Sequence, residues 1–280
     1  MINAPASGLD RLGSLLVGLA GLLVYAFLYL PLVVLVLFSF LYLPLVVLVL
    51  LSFSSSTVNA WPITGWTLTW YRQLGLDDDL LTALTNSLTV AARAVVLAVL
   101  LGTLAALAVY RYRFPGRGLF LYVATLPIVL PGIVTGIAML LFFSFVGIDL
   151  SLTTVLIGHA TFCLVLVLNN VLARLIRVPP ELGEAADDLG ANALRAFWHV
   201  TLPSIRTAVL SGALLAFTLS FDEVVVTYFL TGRDNTLPME IYGRLRRGFT
   251  PEINAIASLI IAASLLLVAA VMALSKEEGR

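Results

Sequence analysis

EAADDLGANALRAFWHVTLP, residues 184–203, sets four charged residues, Glu184, Asp187, Asp188 and Arg195, between two long apolar runs at about 152–173 and 207–230. A spanning helix needs about 20 predominantly apolar residues, and both flanking runs reach that length. The quoted segment is therefore a polar loop at a membrane surface, and the same test applies outward along the chain. Runs at about 83–110, 119–146 and 253–275 also pass, and residues 12–71 hold no Asp, Glu, Lys or Arg at all. With one span from that first region, six follow. Lipid offers no partner for open backbone groups, and no alternating barrel pattern is present. The expected fold is an all-α integral membrane protein of about six transmembrane helices, one transmembrane domain over residues 1–280.

Composition agrees. The 280 residues are 60% hydrophobic and 11% charged, against roughly 45–50% and 25% in soluble domains. The formal net charge is zero and names no partner; a nucleic-acid role has no support, since the short basic loop at 111–118 needs no more than the positive-inside rule. One cysteine, Cys163, sits in an apolar run, which leaves no disulfide framework and no cysteine metal site. Lys276 is the only lysine, and no glycine-rich turn precedes it to cradle phosphates. This chain therefore carries no phosphate-binding loop with which to hold ATP itself. No Ser/His, paired-Asp or metal constellation spans the helices, so no catalytic residue and no metal ligand is assigned. His159, alone on its span, is expected to make interhelical hydrogen bonds, and Arg93 to point into the bundle and pair with a carboxylate or with a partner chain.

Residues 27–39, FLYLPLVVLVLFS, recur as residues 40–52, FLYLPLVVLVLLS, with Phe38 replaced by Leu51. A single helix over both copies would far exceed a hydrocarbon core of about 30 Å. Only one copy is expected to span the bilayer. For orientation, placing both termini in the cytoplasm gives that side ten basic residues: Arg11, Arg111, Arg113, Arg117, Arg174, Arg177, Arg195, Arg206, Lys276 and Arg280. The outside receives five, Arg72, Arg233, Arg244, Arg246 and Arg247. That asymmetry puts the 184–203 loop on the cytoplasmic side.

Read as E-A-A, three residues, Gly, nine residues, Val-x-Leu-Pro, the opening segment resembles the signature loop of permease subunits of ABC importers, with Val200 where the family has Ile. Further along, LYVATLPIVLPGIVTGIAML, LAFTLSFDEVVVTYFLTG and TLPMEIYGRLRRGFTPEINAIASL resemble the spermidine/putrescine, PotC-like branch, over about Trp66 to Lys276. The resemblance implies a type I importer permease fold in a bacterial cytoplasmic (inner) membrane, working by alternating access. It implies a polyamine as cargo or, with the same architecture, another organic cation, an aminophosphonate or an inorganic ion. The implied partners are a homologous second permease, an ATPase dimer that carries the ATP and magnesium, and an extracytoplasmic substrate-binding protein. No cofactor is expected on this chain.

Two sets of residues follow. In the family the loop, here about 178–206, couples to the ATPase through Glu184, Ala185, Ala186, Asp187, Gly190, Leu202 and Pro203. Small alanines permit close contact, Gly190 permits a bend, and Pro203 suits a helix start. The substrate pathway is expected to include Asp222 or Glu223, because a carboxylate at membrane depth is costly unless it meets a cation or a cavity. Pro131 joins them, since a proline in mid-span interrupts the helix and frees a backbone carbonyl.

Overall fold

The computed structural model describes residues 8–248 and 250–277, with side chains for 18–37, 39–248 and 250–266. Among the described residues twelve α-helices run in chain order: α1 Gly8–Leu51, α2 Thr69–Leu74, α3 Asp78–Arg111, α4 Arg117–Val129, α5 Gly132–Val146, α6 Leu152–Leu175, α7 Glu181–Asp188, α8 Ala193–Ala196, α9 Leu202–Asp222, α10 Val225–Leu230, α11 Leu237–Arg247 and α12 Pro251–Glu277. Four helical stretches are long and apolar enough to cross a membrane: Gly18–Leu51, Asp78–Arg111, Leu152–Leu175 and Ala193–Asp222. The bent pair α4–α5 makes a fifth. Pro251–Leu266 is a shorter apolar helix at the position of the sixth expected span.

The described residues fall into two compact units, 75–248 and the rest. In the 75–248 unit, α6 packs against both α3 and α9. Small residues allow the approach: Ala91, Ala94, Ala98 and Ala106 of α3 are fully buried. A Cβ at Gly102 would stand 2.9 Å from the Leu164 carbonyl oxygen of α6, and one at Gly212 3.2 Å from Val167 Cα. Helices in lipid associate through such close packing, because lipid supplies no hydrophobic drive between them. α6 starts at a capping box in which the Ser151 and Thr154 side chains each accept from the other's backbone. In the other unit, α1 and α2 pack on α12, and Tyr71 links Ser52 (2.6 Å) to Ser258 (2.8 Å).

The structure adds detail to several expectations. The interruption expected at Pro131 divides the 119–146 run into two helices bent by 105°, since proline forces extended backbone on Leu130 (φ −71°, ψ 142°). The 207–230 run breaks after Asp222, with Glu223 extended (φ −74°, ψ 117°). Both copies of the repeat, Ser52 apart, lie in one helix, Gly8–Leu51, roughly 66 Å long at 1.5 Å per residue, about twice the length that one crossing takes. Arg93 is exposed on α3 within this chain, which leaves of its two expected pairings the one with a partner chain. Arg280 lies outside the described residues, as do the side chains of Arg11 and Lys276.

Candidate functional site: paired helix breaks and a polar loop

The two interrupted helices meet. α5 packs against α10, and glycines bring their backbones together. A Cβ at Gly132 would lie 3.5 Å from Val225, and one at Gly136 only 2.6 Å from the Phe229 ring. The break at Leu130–Pro131 and the break at Glu223–Val224 thus sit at neighbouring ends of packed helices. Discontinuous helices of this kind line cavities in transporters, because unwound backbone in a membrane must face protein or water.

The adjacent carboxylates differ in what they touch. Glu223 is half-buried, and its Oε1 accepts a hydrogen bond from the Val226 N–H at 2.9 Å, capping the first turn of α10. Asp222 is exposed, and among the described residues no hydrogen bond or ion pair engages its carboxylate. Pro131 stands at the N-terminus of α5, while its carbonyl accepts from Val134 N–H (2.9 Å) and Thr135 N–H (3.2 Å). Pro127 is accommodated inside α4. Below the α9–α10 break, His159 of α6 is buried and bonds Ser220 at 2.8 Å and Thr227 at 2.9 Å. The sequence marked His159 as an interhelical hydrogen-bonder but could not name its partners.

The polar loop is built from α7, a glycine bend and α8. Gly190 adopts the left-handed conformation (φ +74°). Its N–H reaches the Asp187 carbonyl at 2.9 Å, and the Ala191 N–H reaches Ala186 at 3.0 Å. Those two bonds are the paired closure that satisfies the last carbonyls of a helix. Asn192 then caps α8 by accepting from the Arg195 N–H at 2.9 Å. A π-helical turn, Phe197–Thr201, leads into α9, where Pro203 lies in the first turn. The Leu202 N–H reaches back five residues to Phe197, and such a turn accommodates a proline that cannot join the regular ladder. At the C-terminal end of α6, Arg174 Nε donates to the Ser204 carbonyl at 2.9 Å and ties that helix to the start of α9.

The alanines divide. Ala186 is buried within the chain, while Ala185, Glu184, Asp187 and Asp188 are exposed. Space at Gly190 is open, with nothing within 4 Å of an added Cβ, so its requirement here is conformational and not steric. The expectation missed the apolar side chains of the loop. Leu189 is 89% exposed and Leu194 66%, and Trp198 is exposed beside them.

At the start of α3, the Asp77 side chain accepts from the Leu80 N–H and caps the helix. It also accepts from both terminal guanidinium nitrogens of Arg244, at 2.6 and 2.9 Å, and Arg244 Nε donates to Glu240 at 2.9 Å. The hydrogen bond from Arg244 holds the Asp77 carboxyl below its ordinary pKa, and the same bond raises that of Arg244.

The family described as binding-protein-dependent transport system inner membrane component matches residues 98–276. This chain belongs to that family. It is a transport component and not an enzyme. It is 42% identical to the putrescine transport system permease protein PotI of Escherichia coli K12 over 218 residues, covering 75% of this chain and 77% of PotI. Against the spermidine/putrescine transport system permease protein PotC of the same strain it is 37% identical over 259 residues, 92% of each chain. Among solved structures, a bacterial ABC transporter involved in import of the acidic polysaccharide alginate superposes with a TM-score of 0.62 at 17% identity. That match covers 98% of this chain and 99% of the other, and it shows the fold, a type I permease, alone.

Proposed function

We propose that this chain is the membrane-spanning permease of an ATP-driven polyamine importer, working by alternating access between the two sides of a bacterial cytoplasmic membrane. The observation that carries the cargo is Asp222, an exposed carboxylate with no partner among the described residues, at the meeting of two broken membrane helices. An ammonium group would satisfy it, whereas an anion would be repelled. No Lys or Arg lies within residues 119–135 or 207–232, so nothing at the breaks invites an oxyanion. The relatives named as putrescine and spermidine/putrescine permeases agree with that chemistry. Glu223 serves the pathway indirectly, by capping α10, and Pro131 by opening the facing helix.

The loop over about 178–206 docks on the ATPase dimer, which carries ATP and magnesium. Glu184, Asp187 and Asp188 offer charge, Ala185 close approach, and Leu189, Leu194 and Trp198 apolar anchors. Ala186, Gly190, Leu202 and Pro203 hold the loop's shape, and the chain itself binds no cofactor. A second, homologous permease completes the pathway, and an extracytoplasmic binding protein delivers the cargo. Both termini lie in the cytoplasm, the orientation that the basic-residue count favours.

Reconstitution tests the proposal. With partner permease, ATPase and receptor in vesicles, labelled putrescine and spermidine should accumulate only when ATP and receptor are both supplied. Accumulation without the ATPase, or of sulfate in place of either amine, would overturn it.

A further inference from the structure

We infer that His159 is a positioning residue that clamps the α9–α10 break and thereby fixes where Asp222 presents its carboxylate; the inference rests on the pathway reading of Asp222 above. Its two ring nitrogens bond residues on opposite sides of the break: Ser220 on α9, two residues before Asp222, and Thr227 on α10. The proton count assigns every role. Thr227 Oγ1 donates its hydrogen to the Glu223 carbonyl at 2.8 Å, so it must accept from His159 Nε2–H. Nδ1 then accepts from the Ser220 hydroxyl. The chain runs from Ser220 through the neutral imidazole to Thr227 and ends on the backbone of the broken segment itself. All three side chains are buried, at 4%, 1% and 0% exposure, where a lost partner is not replaced by water. Two helix ends without a continuous hydrogen-bond ladder between them would otherwise hinge at Glu223–Val224. The imidazole is a rigid bridge between them, anchored on α6.

The test uses the complete transporter in vesicles, with putrescine uptake and receptor-stimulated ATP hydrolysis measured for His159→Leu, His159→Gln and Asp222→Asn, singly and combined. His159→Leu should lower uptake about five- to tenfold, the scale of a lost buried hydrogen bond, with ATP hydrolysis within about twofold of the parent. His159→Gln, whose amide offers both a donor and an acceptor, should recover more than half of the uptake. In the Asp222→Asn background, His159→Leu should add no further loss, because the carboxylate it positions is gone. Uptake and ATP hydrolysis falling by one factor, multiplicative losses in the double variant, or full uptake in His159→Leu would each overturn the clamp. If His159→Leu does not assemble, Thr227→Val opens one side of the bridge and is read by the same criteria. Loss in Asp222→Asn with full uptake in His159→Leu removes the clamp alone. Full uptake in Asp222→Asn removes the pathway reading and the clamp with it.

Discussion

Replacing Gly190 isolates backbone conformation from contact. Its φ of +74° costs a residue with a side chain about 1–2 kcal/mol, more when the side chain is branched at Cβ, and little for Asn. Nothing within 4 Å would meet an added Cβ, so sterics inside the chain contribute no further cost. A penalty of about 2 kcal/mol for Val reduces the population of the closed loop roughly 30-fold, and about 1 kcal/mol for Ala roughly fivefold, at 1.4 kcal/mol per decade. Relaxed loops lose the bonds from Gly190 N–H to Asp187 and from Ala191 N–H to Ala186, and with them the surface offered to the ATPase. Receptor-stimulated ATP hydrolysis by the reconstituted complex should therefore rank Gly and Asn highest, then Ala, then Val, with membrane insertion unchanged. Asn as inactive as Val would show that a partner surface, and not φ, excludes the side chain. Parent rates in both Ala and Val variants would remove the loop from coupling.

Two further outcomes are expected. Asp77→Asn keeps the helix cap but removes the charge facing Arg244, which should cost about 1–2 kcal/mol of stability for a largely shielded pair. Because the folded-state pKa of Asp77 is depressed, its contribution is complete above the unfolded value of about 3.9 and fades as pH falls below it. The gap in Tm between parent and variant should stay constant from pH 8 to about 5 and shrink below about 4; a gap that widens on acidification would contradict the ion pair. Deletion of residues 27–39 should leave assembly and uptake intact, since Ser52 of the second copy bonds Tyr71 while its counterpart Ser39 is exposed and bonds only Leu35 of its own helix. Loss of the complex would show that both copies are structural.

The membrane class and most of the spans were legible because lipid imposes one long apolar signature on a crossing; of the six expected, four stretches, or five with the bent pair, reach that length among the described residues. The kink at Pro131 was legible too, since proline acts on its immediate neighbour, and Gly190 and Pro203 bend and start helices where their backbone chemistry suggested. The break at Glu223–Val224 was not. Phe-Asp-Glu-Val-Val-Val contains no Gly or Pro, and its interruption rests on partners supplied by α5 and by His159, 61 and 68 residues from its two contacts. Asp77 and Arg244, 167 residues apart, were equally out of reach. Arg93 is exposed on this chain alone, so a pairing with a partner chain, one of the two expected for it, stays open to it. The exposed Leu189, Leu194 and Trp198 could have been found, since apolar residues inside a polar loop already depart from ordinary loop chemistry.

The central claim is that a carboxylate at the paired helix breaks meets a cationic cargo. Uptake of labelled putrescine into vesicles holding the complete transporter, receptor and ATP, measured for Asp222→Asn and Glu223→Gln side by side, tests it most directly. Asp222 is exposed on this chain alone, but in a pathway closed by the second permease its pair with an ammonium group is shielded from water and exceeds the roughly 0–1 kcal/mol of an exposed pair, so Asp222→Asn should lose tenfold or more in uptake with unchanged expression. Glu223→Gln retains a side-chain oxygen to cap α10 and should lose less. Putrescine uptake at the parent rate in both variants would contradict the claim.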